Sequence, residues 1–143
     1  MRSKKPISFF IENINYRLTN KHKLKAWISK SCEAEGASID SIIYVFSDDE
    51  FIHNINKEYL RHNTYTDIIT FDLSEEDTID GEIYISLERV KENAQNFDVK
   101  YVDEIHRVMI HGVLHLLGYN DKTPSQKRKM KAKEDFYLSL RDF

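Results

Sequence analysis

Cysteine, proline and glycine are scarce in this chain of 143 residues, which holds one, two and four of them. Cys32 stands alone, so no internal disulfide forms, and a reducing cytoplasm is the expected compartment. Nothing near Cys32 activates its thiol, which reads as a small hydrophobe. Long apolar runs are missing too. No stretch approaches the roughly 20 residues of a bilayer-spanning helix, so no membrane association is expected. The basic N-terminus (MRSKKPISFFIENINY) offers only Ile7–Ile11 as an apolar stretch, broken by Ser8 and shorter than the core of a secretory signal. Repeats, low-complexity blocks and Pro/Gly/Ser linkers are absent, so residues 1–143 read as a single domain. Neither charge sign dominates: 21 basic residues against 24 acidic ones give −3, no nucleic-acid footprint by itself. What is present, 41% hydrophobic and 31% charged residues, is the balance of a globular domain.

Hydrophobic periodicity then sets the elements. A short strand is expected at Ile7–Ile11. Leu24, Trp27, Ile28 and Cys32 share one face of a helix from about Asn20 to Glu35, stopped by Gly36. Ser38–Phe46 is rich in β-formers and reads as a strand. Ser47-Asp48-Asp49-Glu50 suits a helix N-cap and first turn, with Phe51, Ile52, Ile55, Tyr59 and Leu60 as the apolar set that follows. Strands are expected at Asp67–Leu73 and Glu82–Ser86, the second after an acidic turn ending in Asp80-Gly81. Helices follow at Ser86 to about Phe97, at about Val102 to Leu117, and after Pro124, whose fixed φ suits a first turn. Alternating strands and helices with one adjacent strand pair place the chain in the α+β or α/β class. The expected architecture is a single mixed sheet of about four strands packed with about five helices.

The chemistry sits in residues 100–121, KYVDEIHRVMIHGVLHLLGYND. Ile105, Val108, Met109, Ile110, Val113, Leu114, Leu116 and Leu117 put apolar groups on almost every side of the helix, which must therefore lie inside the fold. Yet it carries His111 and His115. Four residues apart, they differ by ~40° in azimuth and ~6 Å in rise, so both imidazoles project from one face. That geometry lets two histidines share a metal ion. Gly118 then ends the helix, and the returning chain brings Asp121 as a third oxygen ligand, giving H-x-x-x-H-x-x-G-x-x-D. A histidine pair by itself serves a core hydrogen bond as readily; the glycine stop and the placed carboxylate favour the metal. His106 lies about 140° round the helix from His111 and reads as structural or solvent-facing. Glu104, two turns before His111 on the same face, either orients a ligand or forms an ion pair. Zinc peptidases of the H-E-x-x-H type need a glutamate beside the first histidine as general base, and here that position is Gly112.

The segment His111-Gly112-Val113-Leu114-His115-Leu116-Leu117-Gly118-Tyr119-Asn120-Asp121 resembles the signature H-G-x-L-H-L-x-G-Y-D-H of the bacterial YbeY-type endoribonucleases, the rRNA maturation factors. A second block, Ile55-Asn56-Lys57-Glu58-Tyr59-Leu60-Arg61 through Tyr65-Thr66-Asp67-Ile68-Ile69-Thr70-Phe71, is similar to that family's L-N-x-x-Y-R and P-T-D-V-L-S-F segments. Gly81-Glu82-Ile83 resembles its G-D-I, and Glu104 matches its acid seven residues before the first histidine. The likeness spans about residues 40–121. Asp121 stands where the family has a third histidine, Asn120 where it has aspartate, and Arg61 lies one position beyond the family arginine, where this chain has Leu60.

The resemblance implies an α+β fold centred on the histidine helix and a zinc-dependent, single-strand-specific endoribonuclease. Its substrate would be ribosomal RNA of the small subunit, in 16S rRNA 3′-end maturation and ribosome quality control. One Zn²⁺ on His111, His115 and Asp121 would acidify water or polarise a phosphoryl oxygen. Arg61 and Glu104 are the remaining candidate catalytic residues, Arg61 as the neutraliser of a phosphate. Thr66, Asp67 and Thr70 are candidate pocket residues. Lys127 and Arg128 head a basic run (Lys122, Lys127, Arg128, Lys129, Lys131, Lys133) that either holds phosphates or is a solvated helix face. The rival readings are a metal-dependent peptidase or other hydrolase, and a non-catalytic ribosome assembly factor with a structural metal.

Overall fold

Alternating apolar residues in the strands and one buried stripe per helix fix how the chain layers. The computed structural model describes residues 6–143, so the N-terminal basic residues Arg2, Lys4 and Lys5 lie outside the described residues. The elements run β1 (Ile7–Ile11), α1 (Lys21–Ala34), β2 (Ser38–Ser47), α2 (Asp49–Leu60), β3 (Ile68–Asp72), β4 (Thr78–Ser86), α3 (Leu87–Asn96), α4 (Tyr101–Leu116) and α5 (Pro124–Ser139). The strands form one mixed sheet of order β1-β2-β4-β3, parallel except for the antiparallel β3–β4 pair. The expected α+β architecture of four strands and five helices is what the described residues adopt.

Register puts Tyr44 opposite Ile83 and Phe46 opposite Ile85, so these rings and branched chains share the sheet face that receives α4. Ile105, Met109, Ile110, Val113 and Leu114 of α4 are buried there, with Leu24, Ile28 and Cys32 of α1 and Met130 and Tyr137 of α5. Two hydrogen bonds pin the layer: Tyr44 Oη donates to the Met109 carbonyl at 3.0 Å, and Trp27 Nε1 to the Tyr137 carbonyl at 2.8 Å. Side-chain caps start three helices, as Asp48, Ser86 and Thr123 accept from the backbone N–H groups of Phe51, Arg89 and Gln126. Cys32 is fully buried, and burial, with the Glu35 charge, pushes its thiol up to about 12, the inert hydrophobe expected.

One expectation needs correction. β4 begins at Thr78, so Asp80 and Gly81 are strand residues and the turn lies before them. The hairpin closes through Leu73 N–H donating to the Asp80 carbonyl at 2.8 Å and Ser74 Oγ bonding both Asp80 backbone groups. Gly81 is there for packing and not for a turn. A Cβ at that position would lie 2.6 Å from Leu116 Cδ2 and 2.9 Å from the Phe71 carbonyl oxygen. Gly81→Ala should therefore cost about 1–3 kcal/mol, read as a lowered denaturation midpoint with unchanged m-value.

His106 is structural, and it does not face solvent. It is buried beside Trp27 and Phe143, and its Nδ1 accepts from Arg141 Nη1 at 2.7 Å. Burial, and then the Arg141 charge, pushes its pKa down to about 4, below the value near 6.5 of an exposed histidine. Between these values the unfolded chain takes up a proton that the folded chain refuses. Stability is therefore complete above pH 6.5, falls as pH drops toward 4, and loses about 3 kcal/mol over that window through this group. A His106→Gln variant, whose side chain does not titrate, should show a shallower loss of stability from pH 6.5 to 4 than the wild type. Equal slopes would contradict the assignment.

Candidate metal centre

Two local stops deliver three side chains to one point. α4 ends at Leu116, capped by Leu117, with Gly118 at φ 101°; Gly118 N–H bonds the His115 carbonyl and Tyr119 N–H the Leu114 carbonyl, both at 3.0 Å. This paired pattern needs a left-handed residue after the helix, which glycine supplies without a Cβ penalty. A few residues later Thr123 and Gln126 form a reciprocal capping box with Pro124 in the first turn, and α5 begins. Asp121 sits on the short bridge between these stops. Tyr119 anchors that bridge, its hydroxyl donating to Glu35 Oε1 at 2.6 Å; Tyr137 and Lys133 donate to Glu35 Oε2.

His111 Nε2 and His115 Nε2 lie 3.0 Å apart, and each is 3.3 Å from Asp121 Oδ2. Among the described residues, this is the group of His, Cys, Asp and Glu side chains whose donor atoms come within 4.8 Å of one another. The triangle tests the fit of a cation. Bonds of about 2.05 Å at tetrahedral angles separate neighbouring ligand atoms by about 3.3 Å, and octahedral ones by about 2.9 Å. The observed edges span that interval, so the three donors fit a small divalent ion. The side chains remain 20%, 28% and 39% exposed, which leaves the outer face of the triangle open to solvent.

His111 and Asp121 separate two cavities. One, of about 400 Å³, is lined by Thr66, Asp67, Ile68, Thr70 and Asp72 of the β3 side together with His111, His115 and Asp121. The other, of about 540 Å³, is lined by Phe97, Val99, Glu104, Arg107, Lys127, Met130, Lys131 and Glu134 with the same His111 and Asp121. Thr66, Asp67 and Thr70 thus line the first cavity, and Glu104 and Lys127 the second. Arg128 is exposed and outside both linings, as is Arg61, which ends α2 at φ 58°. Burial raises the Asp67 carboxyl above the usual range, against the pull of His111. Glu104 is raised by burial as well, against Arg107. For His111 burial works downward, but the Glu134 hydrogen bond and the charges of Glu134, Asp121 and Asp67 outweigh it and raise its pKa.

Gly112 points at the sheet. A Cβ there would meet Ile83 Cδ1 at 2.9 Å and Ile68 Cδ1 at 3.1 Å, so the position that peptidases fill with glutamate faces apolar side chains. Sequence reading passed over Glu134 and Arg107. Glu134 Oε2 lies 2.6 Å from His111 Nδ1, and Arg107 Nη1 donates to Glu134 Oε1 at 2.8 Å. A signal for Glu134 exists in the sequence: with Met130 and Tyr137 it forms the buried stripe of α5, an acid where an apolar residue belongs.

The family model for endoribonuclease YbeY matches residues 10–141. A protein of Christiangramia forsetii named endoribonuclease YbeY is 46% identical over 134 residues, 94% of this chain and 93% of that one. One of Cytophaga hutchinsonii with the same name is 46% identical over 138 residues, 96% of each chain. Among solved structures, the solution structure of a Thermotoga maritima protein superposes with a TM-score of 0.66 at 27% identity, covering 93% of this chain and 87% of that one. A match over nearly the whole length, with the histidine helix and its glycine stop inside it, shows that this chain belongs to the endoribonuclease YbeY family.

Proposed function

We propose that the chain is a zinc-dependent endoribonuclease that cuts single-stranded ribosomal RNA. It acts in the cytoplasm on the 3′ end of the small-subunit rRNA and contributes to ribosome quality control. The observation that carries this reading is the open triangle of His111, His115 and Asp121 set between two unlike cavities. Two imidazole nitrogens and one carboxylate suit Zn²⁺ as the native ion, and three protein ligands leave a position for water or substrate. When bound, the ion supplies Lewis acidity toward a phosphoryl oxygen and toward water.

The chain's own residues do the rest. Lys127 and Lys131, one turn apart on α5, hold backbone phosphates on one side of the site, next to the exposed ring of Phe97 on which a base can stack. Arg128, exposed on α5 outside both linings, adds a phosphate contact further out. On the other side Thr66 and Thr70 offer hydroxyls to the ribose and phosphate, and Asp67 accepts a hydrogen bond or a proton. Glu104, whose carboxyl burial raises against the charge of Arg107, is a second acid available in the cavity that Lys127 lines. Arg61, at the C-terminal cap of α2 and outside both linings, neutralises a phosphate of the strand further from the cluster. A unique, buried thiol and the absence of a helix long enough to cross a membrane among the described residues support the cytoplasmic assignment. Gly112 facing Ile83 and Ile68 speaks against peptidase chemistry with a glutamate base.

His115→Ala should keep its circular dichroism and melting profile while losing bound zinc. Cleavage of a single-stranded rRNA fragment should fall by more than the roughly 10–100-fold typical of a lost outer-shell partner. A variant that loses zinc, melts lower and still cleaves normally while folded would instead make the metal structural. Reversing charge at Lys127 and Lys131 should weaken RNA binding, and log affinity against log salt should flatten by about 0.7 for each phosphate no longer neutralised. An unchanged slope would return the basic run to an ordinary solvated helix face.

A further inference from the structure

We propose that Glu134 is the positioning residue of the metal centre: its carboxylate holds His111 as the Nδ1–H tautomer with Nε2 aimed at the ion, and Arg107 fixes that carboxylate. The inference rests on the metal reading above and adds a residue outside the ligand set. A histidine offers one ring nitrogen to a metal only when the other carries the proton, and a carboxylate accepting from that second nitrogen sets which is which. Glu134 Oε2 stands 2.6 Å from His111 Nδ1, the short distance of a charge-assisted bond. His111 Nε2 is then the atom left to face His115 and Asp121.

The carboxylate has no freedom to turn away. Its side chain is only 10% exposed, and its other oxygen is taken by Arg107 Nη1 at 2.8 Å. The same guanidinium reaches Asp135 Oδ1 through Nη2 at 2.5 Å, so one planar fork spans two successive residues of α5 and locks the Glu134 rotamer. Arg107 lies one helical turn before His111 on α4, so the arrangement crosses from α4 to α5 and back to α4. His115 is different: among the described residues, its Nδ1 has no hydrogen-bond partner. The two histidines are thus unequal, since His111 alone has a carboxylate behind its second ring nitrogen.

Zinc affinity of the full chain, measured by competition with a chromogenic chelator, tests this alongside the ¹⁵N spectrum of the histidine side chains in the metal-free protein, recorded at alkaline pH where the rings are neutral. Glu134→Met fills the same space without accepting a bond, and Glu134→Gln keeps an acceptor without the charge. Zinc binding should weaken about 10–100-fold in Glu134→Met and recover in part in Glu134→Gln. The wild-type His111 should show the Nδ1–H form, and Glu134→Met should lose it. A purely structural ion pair would move the melting temperature and leave tautomer and zinc affinity alone, which would overturn the inference. If neither variant folds, wild-type His111 found as the Nε2–H tautomer overturns it equally. A wild type that binds no zinc would bring down the metal reading and this inference with it, whereas tight binding in both wild type and Glu134→Met brings down the inference alone.

Discussion

Enclosure of α4 governs both the fold and the site. A helix apolar on nearly every side has no stable place on a surface, so the sheet, α1, α3 and α5 pack around it. That burial holds the backbone of residues 105–116 and leaves the two histidines pointing from its C-terminal end toward the gap between β3 and α5. Gly81 and Gly112 serve the same enclosure from opposite partners, each removing a Cβ where strand and helix come closest. A ligand pair mounted on so confined an element needs little reorganisation to accept an ion, which is the advantage of building a site on rigid structure.

Charge is distributed by cavity. The β3 side of the site presents Asp67 and Asp72, the α5 side Lys127, Lys131 and Arg107 together with Glu104 and Glu134, and the cluster of His111, His115 and Asp121 stands between. A formal charge of −3 averages these away, which is why whole-chain electrostatics says so little about a polyanionic substrate. Local fields around a focused cleft matter more than the sum. The same reasoning applies to the lysines that look alike in sequence. Lys127 and Lys131 line the second cavity, whereas Lys129 and Lys133 sit over the Tyr119 ring, and Lys133 also pairs with Glu35 to brace the bridge that carries Asp121.

Most of the fold was legible because it depends on short-range rules. Periodicity placed the strands and helices, the Gly36 and Gly118 stops fall at φ 78° and 101° as left-handed turns require, and Pro124 opens α5. The start of β4 is not legible because Asp80-Gly81 carries a local turn signal, and only contact with Leu116 and the Phe71 carbonyl gives that glycine another reason to exist. His106 was ambiguous for the same kind of reason: helix phase separates it from His111 but cannot say what waits on its side, which turned out to be Trp27, Phe143 and Arg141.

The ligand set could be read from the order of residues without any fold. Spacing along one helix and a glycine-bounded return are local geometry, so His111, His115 and Asp121 pair on helix parameters and a turn alone. Their surroundings needed three dimensions: Glu134 behind His111, Arg107 behind Glu134, and a cleft whose β3 side carries acids alone while its α5 side mixes lysines with acids. Glu134 follows His111 by 23 residues, and the two meet only because α5 docks against α4. Asp67 and Thr70 reach the same point through the docking of β3 from the other side. Side-chain periodicity fixes which face an element presents, but not which neighbour that face will find.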